Sequence, residues 1–166
     1  MSTFFQFEAD FVETLRCIPM VVRFKLDTCG IKLKLQAWHQ LSPGDRQALA
    51  TLPCTTAAEI AHYQTFLQQR LLDCTGAMGG TLPIDPQPPW LDAATIPAEL
   101  DQAIQALGVA LNQPSNQPSS QPLNQSLNLV QWAALTPLQR FALLKLSRPG
   151  HENRNLLPAL KEFGLI

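Results

Sequence analysis

The sequence has few charged residues and no long apolar run, and both features limit what the protein can bind. Charged residues make up 15% of the 166 residues, and the formal net charge is −1. This balance gives no overall electrostatic attraction to nucleic acid or to an anionic membrane. No apolar run approaches the roughly 18 residues of a membrane helix, and the start of the chain does not resemble a signal peptide. We therefore expect a cytoplasmic protein that binds neither nucleic acid nor a membrane.

Catalytic motifs are also missing. The sequence has no glycine-rich dinucleotide motif, no P-loop and no nucleophile elbow. Glu8, Asp10 and Glu13 could suggest acid–base catalysis, but their position at the start of a predicted helix is explained by the helix dipole. Residues 78–80, Met-Gly-Gly, could form an anion-binding nest, although no lysine is near in sequence. We predict no catalytic residue, no cofactor and no enzymatic activity; a small enzyme of unknown reaction is an alternative.

The cysteines and histidines lack the spacing of common metal sites. The four cysteines contain no C-x-x-C pair, and the three histidines form no H-E-x-x-H motif. Buried free thiols are therefore the favoured interpretation, and no metal site is predicted. A metal or cofactor carrier that gathers all four thiols is the alternative. The cysteines are Cys17, Cys29, Cys54 and Cys74, and the histidines are His39, His62 and His151.

Hydrophobic periodicity predicts a mainly helical single domain over residues 1–166, with six or seven helices. The strongest pattern predicts a helix over 56–74, which begins with a capping box formed by Thr56 and Glu59. Its apolar face continues to Cys74. Further helices are predicted over residues 7–18, from residue 96 to 111, and from residue 156 to the glycine at 164.

Two segments are predicted to lie outside regular structure. Residues 75–95 are rich in proline and glycine and are expected to form an extended connector. Residues 112–126 consist almost entirely of Asn, Gln, Pro and Ser, and they have almost no apolar surface to bury. This composition predicts a disordered loop.

An internal repeat relates residues 33–52 to residues 127–146 at a constant offset of 94. The shared pattern, L-x-L-x-x-W-x-x-L-[ST]-P-x-x-R-x-A-L-x-x-L, predicts a short helix followed by a second helix capped by Ser or Thr with Pro in its first turn. In the first copy Leu35, Trp38 and Leu41 share the inner face of the short helix. The repeated arginines are expected to bind an acidic or carbonyl partner, and a structural clamp is favoured over a ligand contact. These arginines are Arg46 and Arg140.

A basic segment near the N-terminus admits two interpretations. Residues 21–35 alternate with period two around a Cys-Gly pair, which predicts a β-hairpin and an α+β fold. However, Pro19 and Gly30 suit the two ends of a helix over 20–29. The second repeat copy favours the helix, because Asn128, a good helix cap, occupies the position of Lys34. The hairpin is the runner-up.

The charge of this segment also has several interpretations. Residues 16–41 hold five of the twelve basic residues of the chain and a single acid, Asp27. A solvated helix face is the simplest explanation. Electrostatic docking of an acidic partner is the more specific one, and nucleic-acid binding is a third.

Four short runs carry a resemblance to a known family. They are F-x-F-E-x-D-F at 5–11, L-R-C-I-P-M at 15–20, V-R-F-K-L-D at 22–27 and G-I-K-L at 30–33, followed by Trp38. The chain resembles the nitrate reductase-associated protein family found mainly in cyanobacteria, of the NarM type. The resemblance is dense over about residues 4–54 and compatible to the C-terminus.

The resemblance implies an accessory protein for assimilatory nitrate reductase, a cytoplasmic enzyme that uses a molybdenum cofactor, an iron–sulfur cluster and usually ferredoxin. It implies no catalytic residues in this chain. The expected partners are the catalytic subunit of nitrate reductase and, as a second candidate, ferredoxin. We hypothesise that aromatic and basic side chains in the N-terminal segment bind the partner. These residues are Phe5, Phe7, Arg16, Arg23, Lys25, Lys32 and Lys34.

Overall fold

The computed structural model describes residues 4–112 and 126–166, in which it contains eight α-helices and one two-stranded sheet. The mainly helical fold class is confirmed. The chain divides into two compact units, Met1–Pro86 and Gln87–Ile166. The helices are α1 Met20–Cys29, α2 Leu35–Gln40, α3 Pro43–Thr51, α4 Ala57–Thr75, α5 Ala98–Ala106, α6 Leu129–Ala134, α7 Pro137–Leu146 and α8 Leu156–Glu162; the strands are β1 Ile31–Lys32 and β2 Gly80–Thr81.

The basic segment contains the predicted helix, α1, and the hairpin at 21–35 is wrong. Pro19 precedes α1, and Gly30 ends it in the left-handed conformation with φ of 72°. A side chain at Gly30 would also collide with Ile84, since a Cβ there would lie 2.7 Å from its Cγ1 atom. The strand that follows pairs with residues 80–81 instead of with residues 21–26. The helix-end residues Pro19 and Gly30 therefore predicted the structure of this segment better than its period-two alternation did.

The helix predicted over residues 7–18 is wrong. The structure has a 3₁₀-helix at Gln6–Glu8, followed by turns up to Leu15, whose φ is +49°. Glu8 explains the difference because its carboxylate is buried and accepts the N–H of Met20 at 2.7 Å and of Phe5 at 3.2 Å. The residue therefore caps the start of α1 from a distance. A continuous helix over 7–18 could not pass through the left-handed conformation of Leu15.

The repeat forms the same helical corner in both units. Ser42 and Thr136 accept the backbone N–H three residues later, as predicted for caps. Both tryptophans of the repeat are fully buried, and each indole N–H donates to a backbone carbonyl at 2.8 Å. Arg46 Nε donates to the Leu41 carbonyl at 3.1 Å, and Arg140 Nε donates to the equivalent carbonyl at 3.3 Å. The prediction of a structural arginine clamp is confirmed.

One position of the repeat departs from its predicted place. Leu35 was predicted on the inner face of the corner, but 47% of its surface is exposed. Leu129, the equivalent residue in the second copy, is 54% exposed. Because α2 and α6 have only six residues each, only part of each helix faces its core. Trp38 and Leu41 fill the inner side of α2 and leave Leu35 at the surface.

Helix α4 supplies the longest wall of the first unit. Its predicted capping box is confirmed, since Thr56 accepts the N–H of Glu59 and the Glu59 carboxylate accepts that of Thr56. Tyr63, Leu67 and Leu71 are buried along one face. Cys74, which was expected to extend this face, is exposed at the end of the helix.

In the second unit, α7 packs against α8, and Leu156 and Leu160 of α8 are buried. Helix α5 begins at Ala98, two residues later than expected, after Pro97 at its cap position. Of the predicted connector, Gly80–Thr81 forms β2. The predicted disordered loop lies, over residues 113–125, outside the described residues.

Candidate functional site

Two backbone carbonyls hold the segment that precedes α1 against the repeat corner. The Leu15 carbonyl accepts the indole N–H of Trp38 at 2.8 Å and Arg46 Nη1 at 3.2 Å. Next to it, the Arg16 carbonyl lies 2.7 Å from His39 Nε2. The backbone of Arg16 is therefore fixed at the C-terminal end of α2, while its side chain points outward and pairs with Asp10 at 3.2 Å.

Two further basic residues lie at the other end of α2. Lys32 belongs to β1 and Lys34 immediately precedes α2, and both are exposed. Alternation along the extended chain places their side chains on the same side. Arg16 and Lys34 are thus associated with opposite ends of α2. We call this exposed set, which consists of Arg16, Lys32, Lys34, Leu35 and His39, the α2 edge.

Lys25 has a different environment from these cations. Only 8% of its surface is exposed, and its ammonium donates to the carbonyls of Leu49, Ala50 and Leu52 at 3.3, 2.8 and 2.6 Å. These carbonyls close the C-terminal end of α3, where a cation is favoured by the helix dipole. Burial lowers the pKa of Lys25, whereas the neighbouring Cys54 raises it. Lys25 is thus a structural residue, and its proposed contact with a partner is not carried forward.

The remaining residues of the partner hypothesis are partly buried. Arg23 Nε donates to the Ile18 carbonyl at 3.0 Å, which ties this arginine to the start of α1. The rings of Phe5 and Phe7 stack with their centroids 5.1 Å apart. Both rings are half-buried. The binding role of all these residues stays a prediction.

A cleft of about 430 Å³ lies between α4 and the β1–β2 sheet of the first unit. Its walls include Gln64, Gln68 and Leu72 of α4, together with Met78 and Thr81 on the opposite side. The Gly79 N–H donates to Gln68 Oε1 at 2.7 Å, so the anion-binding nest considered at 78–80 has lost one of its donors. Sequence inspection missed the cleft; glutamines four residues apart on α4 were its only local signal.

The cysteines do not form a common centre. Cys29 and Cys54 are buried, Cys17 is half-buried, and Cys74 is exposed. Within residues 4–112 and 126–166, no three His, Cys, Asp or Glu side chains converge as ligands for a metal ion. The four thiols therefore lack the shared site that the carrier alternative requires, and the prediction of buried thiols holds for two of them.

Thiol labelling checks this arrangement. Burial raises the pKa of Cys29 to about 12 and also raises the pKa of Cys54, so both should remain protonated and shielded at neutral pH. We expect a maleimide to modify Cys74 first in the folded protein, and Cys29 and Cys54 only after unfolding in urea. Mass spectrometry of the labelled peptides measures the order. Fast labelling of Cys29 without denaturant would contradict it.

Comparison with known proteins identifies the family of the chain. Among the residues that the structure describes, none of the helices has the length and hydrophobicity needed to span a bilayer. No significant match was found among curated proteins or among solved structures. A family model described as conserved nitrate reductase-associated protein matches residues 4–163, which is nearly the whole chain. The chain therefore belongs to the family of conserved nitrate reductase-associated proteins.

Proposed function

We propose that this protein is a non-catalytic accessory protein of the cytoplasm that binds the molybdenum-dependent assimilatory nitrate reductase and supports its maturation or activity. The observation that carries the proposal is the family match over residues 4–163, because the family is named for its association with nitrate reductase. An accessory role requires a binding surface on this chain and no reacting group.

The α2 edge is the surface that suits such a role. Arg16, Lys32 and Lys34 contribute three exposed cations, and Leu35 contributes an exposed apolar side chain. An acidic patch on the reductase, or on ferredoxin, complements this arrangement. Charge complementarity raises the association rate and fixes the orientation of the partners. An apolar contact excludes water from an interface.

The stacked pair of Phe5 and Phe7 is the proposed aromatic anchor. Large aromatic side chains contribute a disproportionate share of binding energy at interfaces. The two rings stabilise one another through their stacked arrangement, so less side-chain freedom is lost on binding. The pair lies on the segment that Leu15 and Arg16 hold against the repeat corner.

Affinity purification tests the proposal. We expect the tagged protein to recover nitrate reductase from nitrate-grown cells, with all the metal in the eluate belonging to the reductase. Near-equal amounts of the two proteins indicate a permanent subunit. Recovery only from cells that lack the molybdenum cofactor indicates an assembly factor for the empty enzyme. Absence of the reductase from both eluates contradicts the proposal, and metal on the small protein itself supports a carrier instead.

A further inference from the structure

The outer edge of β2 has an unpaired backbone position. The Leu82 N–H donates to the Gly30 carbonyl at 2.8 Å, and Ile31 lies opposite Thr81. In an antiparallel pair, residues that exchange hydrogen bonds alternate with residues that do not. The N–H and C=O of Thr81 therefore point away from β1, toward the opposite side of the strand.

The other outward-facing position on this edge, Gly79, already bonds to the side-chain amide of Gln68, as it would to the backbone of a neighbouring strand. Gly79 points to the same side as Thr81, since residues two apart in a strand share their orientation. Its N–H donates to Gln68 Oε1 at 2.7 Å, and Gln68 Nε2 reaches its carbonyl at 3.5 Å. No such partner occupies Thr81 in the described part of the chain. The side chain of Gln68 thus ends where a further strand could begin.

Apolar side chains line the cleft near Thr81, and Lys32 of β1 lies outside its walls, over Gly80. Met78 is 63% exposed and Leu72 is 44% exposed at the cleft. The stem of Lys32 lies against Gly80, because a Cβ at that glycine would be 3.3 Å from Lys32 Cβ. The Lys32 ammonium forms no ion pair with any residue that the structure describes. A carboxylate is the group that would complement it.

We propose that this cleft binds an extended segment of nitrate reductase, which adds to the outer edge of β2 as a third strand. The Thr81 N–H donates to a carbonyl of the segment, and the Thr81 carbonyl accepts one of its N–H groups. An aliphatic side chain of the segment packs against Leu72 and Met78, and an acidic residue pairs with Lys32. That the partner is nitrate reductase rests on the proposed function. That the ligand is an extended segment rests on the geometry of the cleft.

A proline substitution tests this mode of binding. Thr81→Pro removes the outward N–H and leaves the hydrogen bonds between β1 and β2 in place, as proline is tolerated at an edge that faces solvent. Thr81→Ala keeps the N–H and serves as the matched control for loss of the side chain. We expect Thr81→Pro to weaken binding of purified nitrate reductase by about tenfold, and Thr81→Ala by less than about threefold. Thermal denaturation verifies that both variants fold.

Hydrogen exchange on the wild-type complex provides the second readout. Binding is expected to slow hydrogen exchange of the backbone amide at residue 81. This measurement needs no variant. Tight binding of the reductase by Thr81→Pro, or unchanged exchange at residue 81 in the complex, overturns the strand-addition proposal while the proposed function stands. Failure of the wild-type protein to bind the reductase removes the proposed function itself.

Discussion

Replacing Trp38 by alanine is expected to lower the free energy of unfolding of the protein by about 3–5 kcal/mol. The side chain is fully buried, and its indole N–H reaches the Leu15 carbonyl at 2.8 Å. The substitution creates a cavity under the repeat corner and removes one of the two donors to the Leu15 carbonyl. Urea denaturation monitored by circular dichroism measures the change.

Two related variants separate the causes of this loss. Trp132→Ala removes the equivalent residue of the second copy, which is equally buried and also donates at 2.8 Å, so a loss of similar size is expected. Leu35→Ala alters an exposed residue on the same helix as Trp38 and should cost less than about 1 kcal/mol. A loss at Trp38 no larger than that at Leu35 would show that the corner is not a centre of stability.

Lys25→Met is expected to lower the free energy of unfolding by about 2–3 kcal/mol, because three carbonyls at the end of α3 lose their common donor. Lys32→Met is the matched control. It removes the same charge from an exposed lysine without a partner among the described residues, so its effect should be within about 0.5 kcal/mol. Equal effects of the two variants would contradict the structural role of Lys25.

The pH dependence of the Lys25→Met effect follows from the lowered pKa. Between this lowered pKa and the ordinary value of 10.5, the unfolded chain holds a proton at Lys25 that the folded chain has released. Stability rises with pH wherever the unfolded state binds more protons. The wild-type protein should therefore gain stability relative to Lys25→Met as the pH approaches 10.5. The opposite slope would mean that the three carbonyls favour the ammonium more strongly than burial disfavours it.

Features set by neighbouring residues could be predicted from the sequence. Caps at Ser42, Thr56 and Thr136 depend on a backbone group three residues away, and all three form as expected. Gly30 likewise marks the end of α1 by its own conformation. The second copy of the repeat provided independent evidence for the same corner. Because Asn128, a good helix cap, is equivalent to Lys34, it correctly favoured a helix over a hairpin at α1.

Features set by distant residues could not be predicted. Glu8 caps α1 from 12 residues away, and Lys25 reaches carbonyls 24 to 27 residues along the chain. No local pattern distinguishes these buried charges from exposed ones. The pairing of Ile31 with Thr81 joins residues that are far apart in the sequence, so the cleft forms only in the folded chain. The basic cluster was therefore identified from the sequence, but its division into structural and exposed members was not.

The most direct test of the proposed function is the affinity of purified nitrate reductase for this protein, measured at increasing salt concentration. Two variants with the same change in charge are compared with the wild type. One replaces three exposed basic residues of the α2 edge by alanine, and the other replaces three exposed basic residues of the second unit. The first set is Arg16, Lys32 and Lys34; the second is Arg148, Arg154 and Lys161.

We expect the wild-type protein to bind the reductase with an affinity that falls as salt increases. The first variant should bind at least about tenfold more weakly and with a shallower salt dependence, whereas the second should bind like the wild type. Equal weakening by both variants would contradict the location of the binding surface at the α2 edge. No binding by the wild-type protein at low salt, to either the complete or the cofactor-free reductase, would contradict the proposed function.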